Sequence, residues 1–227
     1  MDYQDYQDYL KFSSPSAIGV MGSSQSGKSY FTAKLLKYSE HFFTIPPTHI
    51  FYCFQQEQDL FEELERALKN KITFNKGLPT EDQLSELTAN KTHVILVLDD
   101  LMMESQSSKF IEKIFCVYSH HKMLTVLTLQ QNIFYQGKSS RTISLQLHYF
   151  VLFQNNRDKS QIMTLAKQIA PGKTSAFLEI YNDCMSKPYS YLIIDIAPNS
   201  NQQYKFRTNI FAQLEGVDSF PIIYRMV

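Results

Sequence analysis

Residues 18–32 read IGVMGSSQSGKSYFT. An apolar run ends at Gly22, a second glycine follows at 27, and Lys28 and Ser29 come directly after it. No other stretch constrains the fold as much. The run suits a buried strand, and the residues from Lys28 onward suit a helix. The six residues between them then form a tight strand-to-helix loop. Glycines at both ends let backbone amides come close to an anion and adopt dihedrals that side chains resist. Lys28 can reach the outer phosphates of a nucleotide, and the Ser29 hydroxyl can ligate Mg²⁺. The helix adds the positive end of its dipole. Residues Gly22, Ser23, Ser24, Gln25, Ser26, Gly27, Lys28, Ser29 and Tyr30 are therefore the candidate nucleotide-binding segment. Gly22, Gly27, Lys28 and Ser29 carry the argument; the letters between them carry little.

Downstream, strands and helices alternate. HIFYCF (49–54), KITFN (71–75), HVILVLDD (93–100), MLTVLTL (123–129), YFVLFQ (149–154), SYLIIDIAP (190–198) and YKFRTNIF (204–211) read as strands, the last two as a hairpin. DLFEELERALKN (59–70) is amphipathic, with Leu60, Leu64 and Leu68 on one stripe. Thr80 is placed as the N-cap of the next helix, with acids in its first turn. Further helices are expected at 107–119, 158–170 and 174–185. In VILVL five apolar residues stand in a row, three of them β-branched. That composition fits a strand covered on both faces, hence a parallel sheet. The pattern predicts an α/β fold with a mostly parallel central sheet flanked by helices.

The VILVL strand ends in Asp99 and Asp100, at the edge where ligands gather in parallel α/β sheets. The first acid of such a pair can hold the Mg²⁺ shell, and the second can polarise an attacking water. Asp99 stands 70 residues after Ser29. That distance leaves room for a strand lying between the loop strand and the acid strand. The next strand ends LTLQQN, so Gln131, with Gln130 as the alternative, falls at the same edge, where an amide can sense a γ-phosphate. Arginines are few: Arg66, Arg141, Arg157, Arg207 and Arg225. Arg141 and Arg157 lie in polar segments after strands and are the candidates for a finger reaching a neighbour's nucleotide; Arg66 reads as a solvated helix position. His120 and His121 are adjacent, point in different directions on a helix, and chelate poorly; they read as a helix C-terminal feature.

Composition narrows the classes. Hydrophobic residues make up 44% of the 227 and charged residues 19%, as in globular chains. Lys+Arg and Asp+Glu are both 22, so bulk charge gives no attraction to nucleic acid, and any DNA contact needs a local patch. Cys53, Cys116 and Cys184 lack metal-type spacing and read as buried thiols of a reducing compartment. No apolar run approaches the ~20 residues of a membrane span. The opening MDYQDYQDYLKF is acidic and aromatic, unlike a secretory signal. Residues 1–14 are expected to form a mobile N-terminal arm, or one that docks on a neighbouring subunit, and 15–227 a single domain.

The segments GVMGSSQSGKSYFTAKLL, VLDDLMME, the Gln after TVLTL, QNIFYQG, ISLQLHYFVLFQNNRDKSQI and SKPYSYLIIDIAPN…FRTNIF together resemble the viral genome-packaging ATPases of the HerA–FtsK superfamily, in the Polinton/Maverick, adintovirus and poxvirus-like branch. The resemblance covers roughly residues 15–211 and implies a P-loop NTPase of the ASCE, RecA-like type. It implies that Lys28 and Ser29 bind ATP and Mg²⁺, that Asp99 is the Walker B acid, Asp100 the catalytic acid and Gln131 the sensor, and that Arg141 or Arg157 acts in trans. The sequence departs from its relatives at two points. Gln130-Gln131-Asn132 replaces a common Thr-Gln-Asn, and Asp100 stands where many relatives carry the longer Glu. The implied activity is ATP-driven packaging of double-stranded DNA into a capsid by a homo-oligomeric ring of five or six subunits, with the viral capsid or a portal vertex as partner. Its expected setting is an infected host cell, in the nucleus or a cytoplasmic factory, or the virion, with no membrane partner. Other HerA–FtsK-type DNA translocases, a small-molecule P-loop kinase and a nucleotide-gated assembly module remain alternatives.

Overall fold

In the computed structural model, residues 9–101, 108–118, 122–134, 143–155, 158–212, 214 and 220–226 are described. The strands in chain order are β1 (Ala17–Met21), β2 (His49–Phe54), β3 (Ile72–Lys76), β4 (Val94–Asp99), β5 (Leu124–Gln130), β6 (Tyr149–Phe153), β7 (Tyr191–Asp195), β8 (Phe206–Thr208) and β9 (Ile222–Tyr224). The helices are α1 (Lys28–Lys37), α2 (Ser39–Phe42), α3 (Leu60–Leu68), α4 (Glu81–Leu87), α5 (Ser108–Lys113), α6 (Lys159–Ile169) and α7 (Thr174–Cys184). After α5 the chain widens into a π turn over Ile114–Tyr118.

Among the described residues, the strands join one sheet in the order β3-β2-β4-β5-β1-β6-β7-β8-β9. Strands β1 to β6 run parallel. β7, β8 and β9 each run antiparallel to the strand before them in that order. β4 and β5 are buried at every position, as their unbroken apolar runs require. Alternation sends their side chains into two cores. Val94, Leu96, Leu98 and Val126 pack with Ile111, Leu165 and Phe177, under α5, α6 and α7. Ile95, Val97, Leu127 and Leu129 pack with Phe31, Leu35 and Leu64, under α1 and α3. The sheet is thus sandwiched between helices. Thr80 caps α4 through a complete capping box with Gln83, the start its sequence indicates. The β7–β8 hairpin forms as well, though with strands shorter than the apolar runs.

Residues 9–14, expected to belong to a mobile arm, are built into the domain. Phe12 is completely buried; its N–H donates to the Phe42 carbonyl at 2.7 Å, and its own carbonyl accepts from Thr44 at 3.0 Å. Leu10 is buried too, and Tyr9 stacks on Tyr204 at 4.1 Å. The anchor beneath them is Arg207, which is 1% exposed and pairs with Asp195 at 3.3 Å. Its guanidinium lies over the Phe12 and Tyr149 rings. Arg207 therefore has a structural role, whereas Arg66 sits on the exposed face of α3. Residues 1–8, His120 and His121 lie outside the described residues. Cys53 and Cys184 are buried and Cys116 half-buried. Among the described residues, no helix is long and apolar enough to cross a membrane.

Candidate active site

The loop between β1 and α1 owes its glycines to two different constraints. At Gly27, φ is 105°, a left-handed value that favours glycine. At Gly22 the constraint is packing: a Cβ there would lie 2.5 Å from the Cβ of Phe153 and 2.9 Å from the Ser26 Oγ. Neighbouring β6 therefore leaves no room for a side chain at the loop's first residue. Ser23 Oγ adds a hydrogen bond to the Gln154 carbonyl at 3.2 Å, and Gln25 turns the loop through a left-handed φ of 61°.

Lys28 opens α1 and is 8% exposed. Its Nζ donates to the carbonyls of Gly22 (2.8 Å) and Ser23 (2.9 Å), so the ammonium sits inside the curl of the loop. Burial lowers its pKa, while the charges of Asp100 and Asp99 push it back up. Those acids lie at the far side of the same cleft, of about 540 Å³, which also takes in Ser24, Gln25, Ser29, residues 55–58 and Gln131.

Sheet order explains the convergence. β5 lies between β1 and β4, filling the place that the 70-residue separation left open. Asp99 pairs with Leu129, and Met21 pairs with Gln130, so the three strands end level. Strand alternation then separates the two glutamines. Gln130 is buried and donates to Thr128 Oγ1 on its own face of β5. Gln131, one residue on, is exposed and its Nε2 donates to Asp100 Oδ2 at 3.4 Å. Gln131 is the glutamine that faces the acids. Asp100 leaves the strand through a left-handed φ of 53°, its N–H donating to the Leu129 carbonyl at 3.2 Å. Arg141 and Arg157 lie outside the described residues.

Two residues of the site escaped sequence reasoning. Asp99 Oδ2 accepts from the Tyr52 hydroxyl at 2.8 Å and from Gln58 Nε2 at 2.9 Å. Burial raises the Asp99 pKa, and the Tyr52 hydrogen bond opposes that rise. Tyr52 is itself fully buried among Phe61 and Phe74, so its hydroxyl has a fixed aim. The one available signal was a tyrosine inside an apolar strand, whose hydroxyl needs a buried partner. Tyr52 is a positioning residue for Asp99. Tyr52→Phe will keep the aromatic packing and weaken Mg²⁺-dependent nucleotide affinity about tenfold, the usual cost of losing a partner of a metal-binding carboxylate. Calorimetric titration with and without Mg²⁺ reads this. An equal loss in both series would mean that Tyr52 only fills space.

The donor set suits Mg²⁺. Ser29 offers a hydroxyl and Asp99 a carboxylate, both hard oxygens lining one cleft. Among the described residues, no cluster of three or more His, Cys, Asp or Glu could hold a metal ion by itself. A magnesium ion carried in with a nucleotide needs only one or two protein ligands.

No protein-family profile and no curated protein sequence matches the chain. Solved structures do match. The genome packaging NTPase B204 from Sulfolobus turreted icosahedral virus 2, in complex with ATPγS, has a TM-score of 0.53 at 14% identity, over 80% of this chain and 92% of that one. Its complex with AMPPCP gives 0.50 at 14% identity, over 80% and 93%. This chain has the P-loop NTPase fold. The cytoplasmic domain of EssC is also similar, with a TM-score of 0.49 at 14% identity over 66% of this chain and 33% of that one. The P-loop NTPase fold places the nucleotide at the loop between β1 and α1, where Lys28 and Ser29 stand. The resemblance to viral packaging ATPases carried by the motifs thus extends to the fold.

Proposed function

We propose that this chain is an ATP-hydrolysing motor that packages viral double-stranded DNA into a capsid, as a homo-oligomeric ring of five or six subunits. One observation carries the hydrolytic part of the reading: Lys28 and Ser29 at the start of α1, Asp99 and Asp100 at the end of β4 and Gln131 just past β5 line one cleft. Binding alone would need the loop; an acid pair joined to a polar amide adds what hydrolysis requires. Bound Mg²⁺ would neutralise charge on the β- and γ-phosphates.

The roles follow from position. Lys28 holds the outer phosphates once it leaves the loop carbonyls. Asp99, fixed by Tyr52 and Gln58, would hold Mg²⁺ together with Ser29. Gln131 orients a water, and Asp100 takes its proton as the water oxygen bonds to the γ-phosphorus. The bond to the β-phosphate oxygen breaks, and ADP and inorganic phosphate leave. Arg141 or Arg157 reaches the γ-phosphate of a neighbouring subunit. With zero net charge, the ring holds DNA by a local basic lining, in a backbone-directed and salt-sensitive way.

The deciding experiment measures ATPase activity against oligomeric state, with and without long double-stranded DNA. Turnover should appear with the ring and rise with DNA. Phosphate transfer to a small acceptor without DNA would make the chain a kinase. ATP binding without turnover, with ring and DNA both present, would make it an assembly module. DNA uptake by purified capsids separates packaging from other translocation.

A further inference from the structure

Beside the cleft with the acids lies a second pocket, on the other side of Lys28. It has a volume of about 400 Å³ and is lined by Gln25, Gly27, Lys28, Ser29, Tyr30 and Tyr189. The walls of the two differ in kind. The first carries carboxylates and amides, and the second is mostly apolar. Gln25, Lys28 and Ser29 line both, so one molecule can occupy the two together. Lys28 and the loop amides at their junction suit a polyanionic group, and the apolar walls of the second pocket suit a flat apolar end.

The aromatic side chains are unusual for an exposed surface. Tyr189 is 73% exposed and Tyr30 59%. Tyr189 sits in the turn between α7 and β7 with a left-handed φ of 60°, uncommon for an aromatic residue. Its ring lies against the loop backbone: a Cβ on Gly27 would be 3.4 Å from the Tyr189 Cδ1. Tyr30 is steadied by the Lys34 ammonium, 4.6 Å from its ring centre.

We infer that Tyr189 and Tyr30 form a stacking slot for the nucleobase of the nucleotide whose phosphates Lys28 and Ser29 hold, and that this slot recognises the base by its flat face. The inference rests on the NTPase reading above and adds the substrate class. Stacking is tolerant of base identity, because every base has a π-face. The protein then accepts ATP and GTP with similar affinity.

The test is calorimetric titration of the full chain with ATP, GTP and ribose 5-triphosphate, which lacks a base. Wild type should bind ATP and GTP alike, and both more tightly than ribose 5-triphosphate. Tyr189→Ala should weaken ATP binding about tenfold, within the range for one lost base–aromatic stack, and leave ribose 5-triphosphate unchanged. Tyr189→Phe should match wild type. Equal weakening of both ligands would make Tyr189 a loop support and overturn the slot, as would an unchanged ATP affinity. A strong preference for ATP over GTP would overturn recognition by the face alone. Wild type binding ATP and ribose 5-triphosphate equally would remove the slot and leave the NTPase reading standing. Binding neither would overturn both.

Discussion

Lys28→Ala will abolish ATP turnover and leave the chain folded. The ammonium is buried, and burial works against its charge. Its removal relieves that cost. Alanine also has high helix propensity, so the start of α1 tolerates it. What is lost is local: the carbonyls of Gly22 and Ser23 each lose a donor. The outer phosphates lose their one cation from the loop. Removing a single preorganised electrostatic contact to a developing charge costs about 10²–10³-fold in rate. Turnover should therefore fall below about a hundredth of wild type. The melting temperature should stay within about 4 °C, the shift expected for about 1 kcal/mol in a chain of this size. Steady-state ATPase assays and thermal circular dichroism check the two halves. Retained turnover would overturn the assignment of the loop.

Lys28 was legible because its pattern is local. A loop sequence shows its own residue types, and the strand before it and the helix after it show theirs. β4 and β5 were legible for the same reason, since burial on both faces leaves continuous apolar runs. The separation of Asp99 from Ser29 even pointed to a strand lying between theirs. Contacts that depend on which strands become neighbours were not legible. Phe153 dictates glycine at position 22, yet it stands on β6. Tyr52 meets Asp99 only because β2 pairs with β4, with Tyr52 opposite Val97 and the ring reaching two residues further. The choice between Gln130 and Gln131 depended on where β5 ends, and a one-residue change in that point reverses the answer. Phe12 was hidden by its neighbours. An acidic, tyrosine-rich opening reads as solvated, and the pocket that receives Phe12 is built by Phe43, Tyr149 and the buried Arg207. β9 is three residues long and partly exposed, too short to carry an alternating pattern.

The Asp100→Asn variant will bind ATP and hydrolyse it poorly. The site lets this substitution isolate the chemistry. Asp100 has a left-handed φ of 53°, and asparagine is among the few residues that accept that conformation readily. An asparagine Oδ1 can still accept from Gln131 Nε2, as Asp100 Oδ2 does at 3.4 Å. Backbone, cleft and amide orientation are preserved, while the carboxylate's charge and its capacity to take a proton are gone. General-base catalysis by one side chain is worth about 10²–10⁴-fold, and turnover should fall within that range. ATP affinity should hold or rise slightly, because one negative charge has left a site that receives a triphosphate. A glutamate at the same position tests the same geometry from the other side. It restores the carboxylate but tolerates a left-handed backbone less well, so Asp100→Glu should recover only part of the rate. Single-turnover hydrolysis, with affinity measured in parallel, distinguishes the cases. Normal hydrolysis by Asp100→Asn would remove this residue from the mechanism.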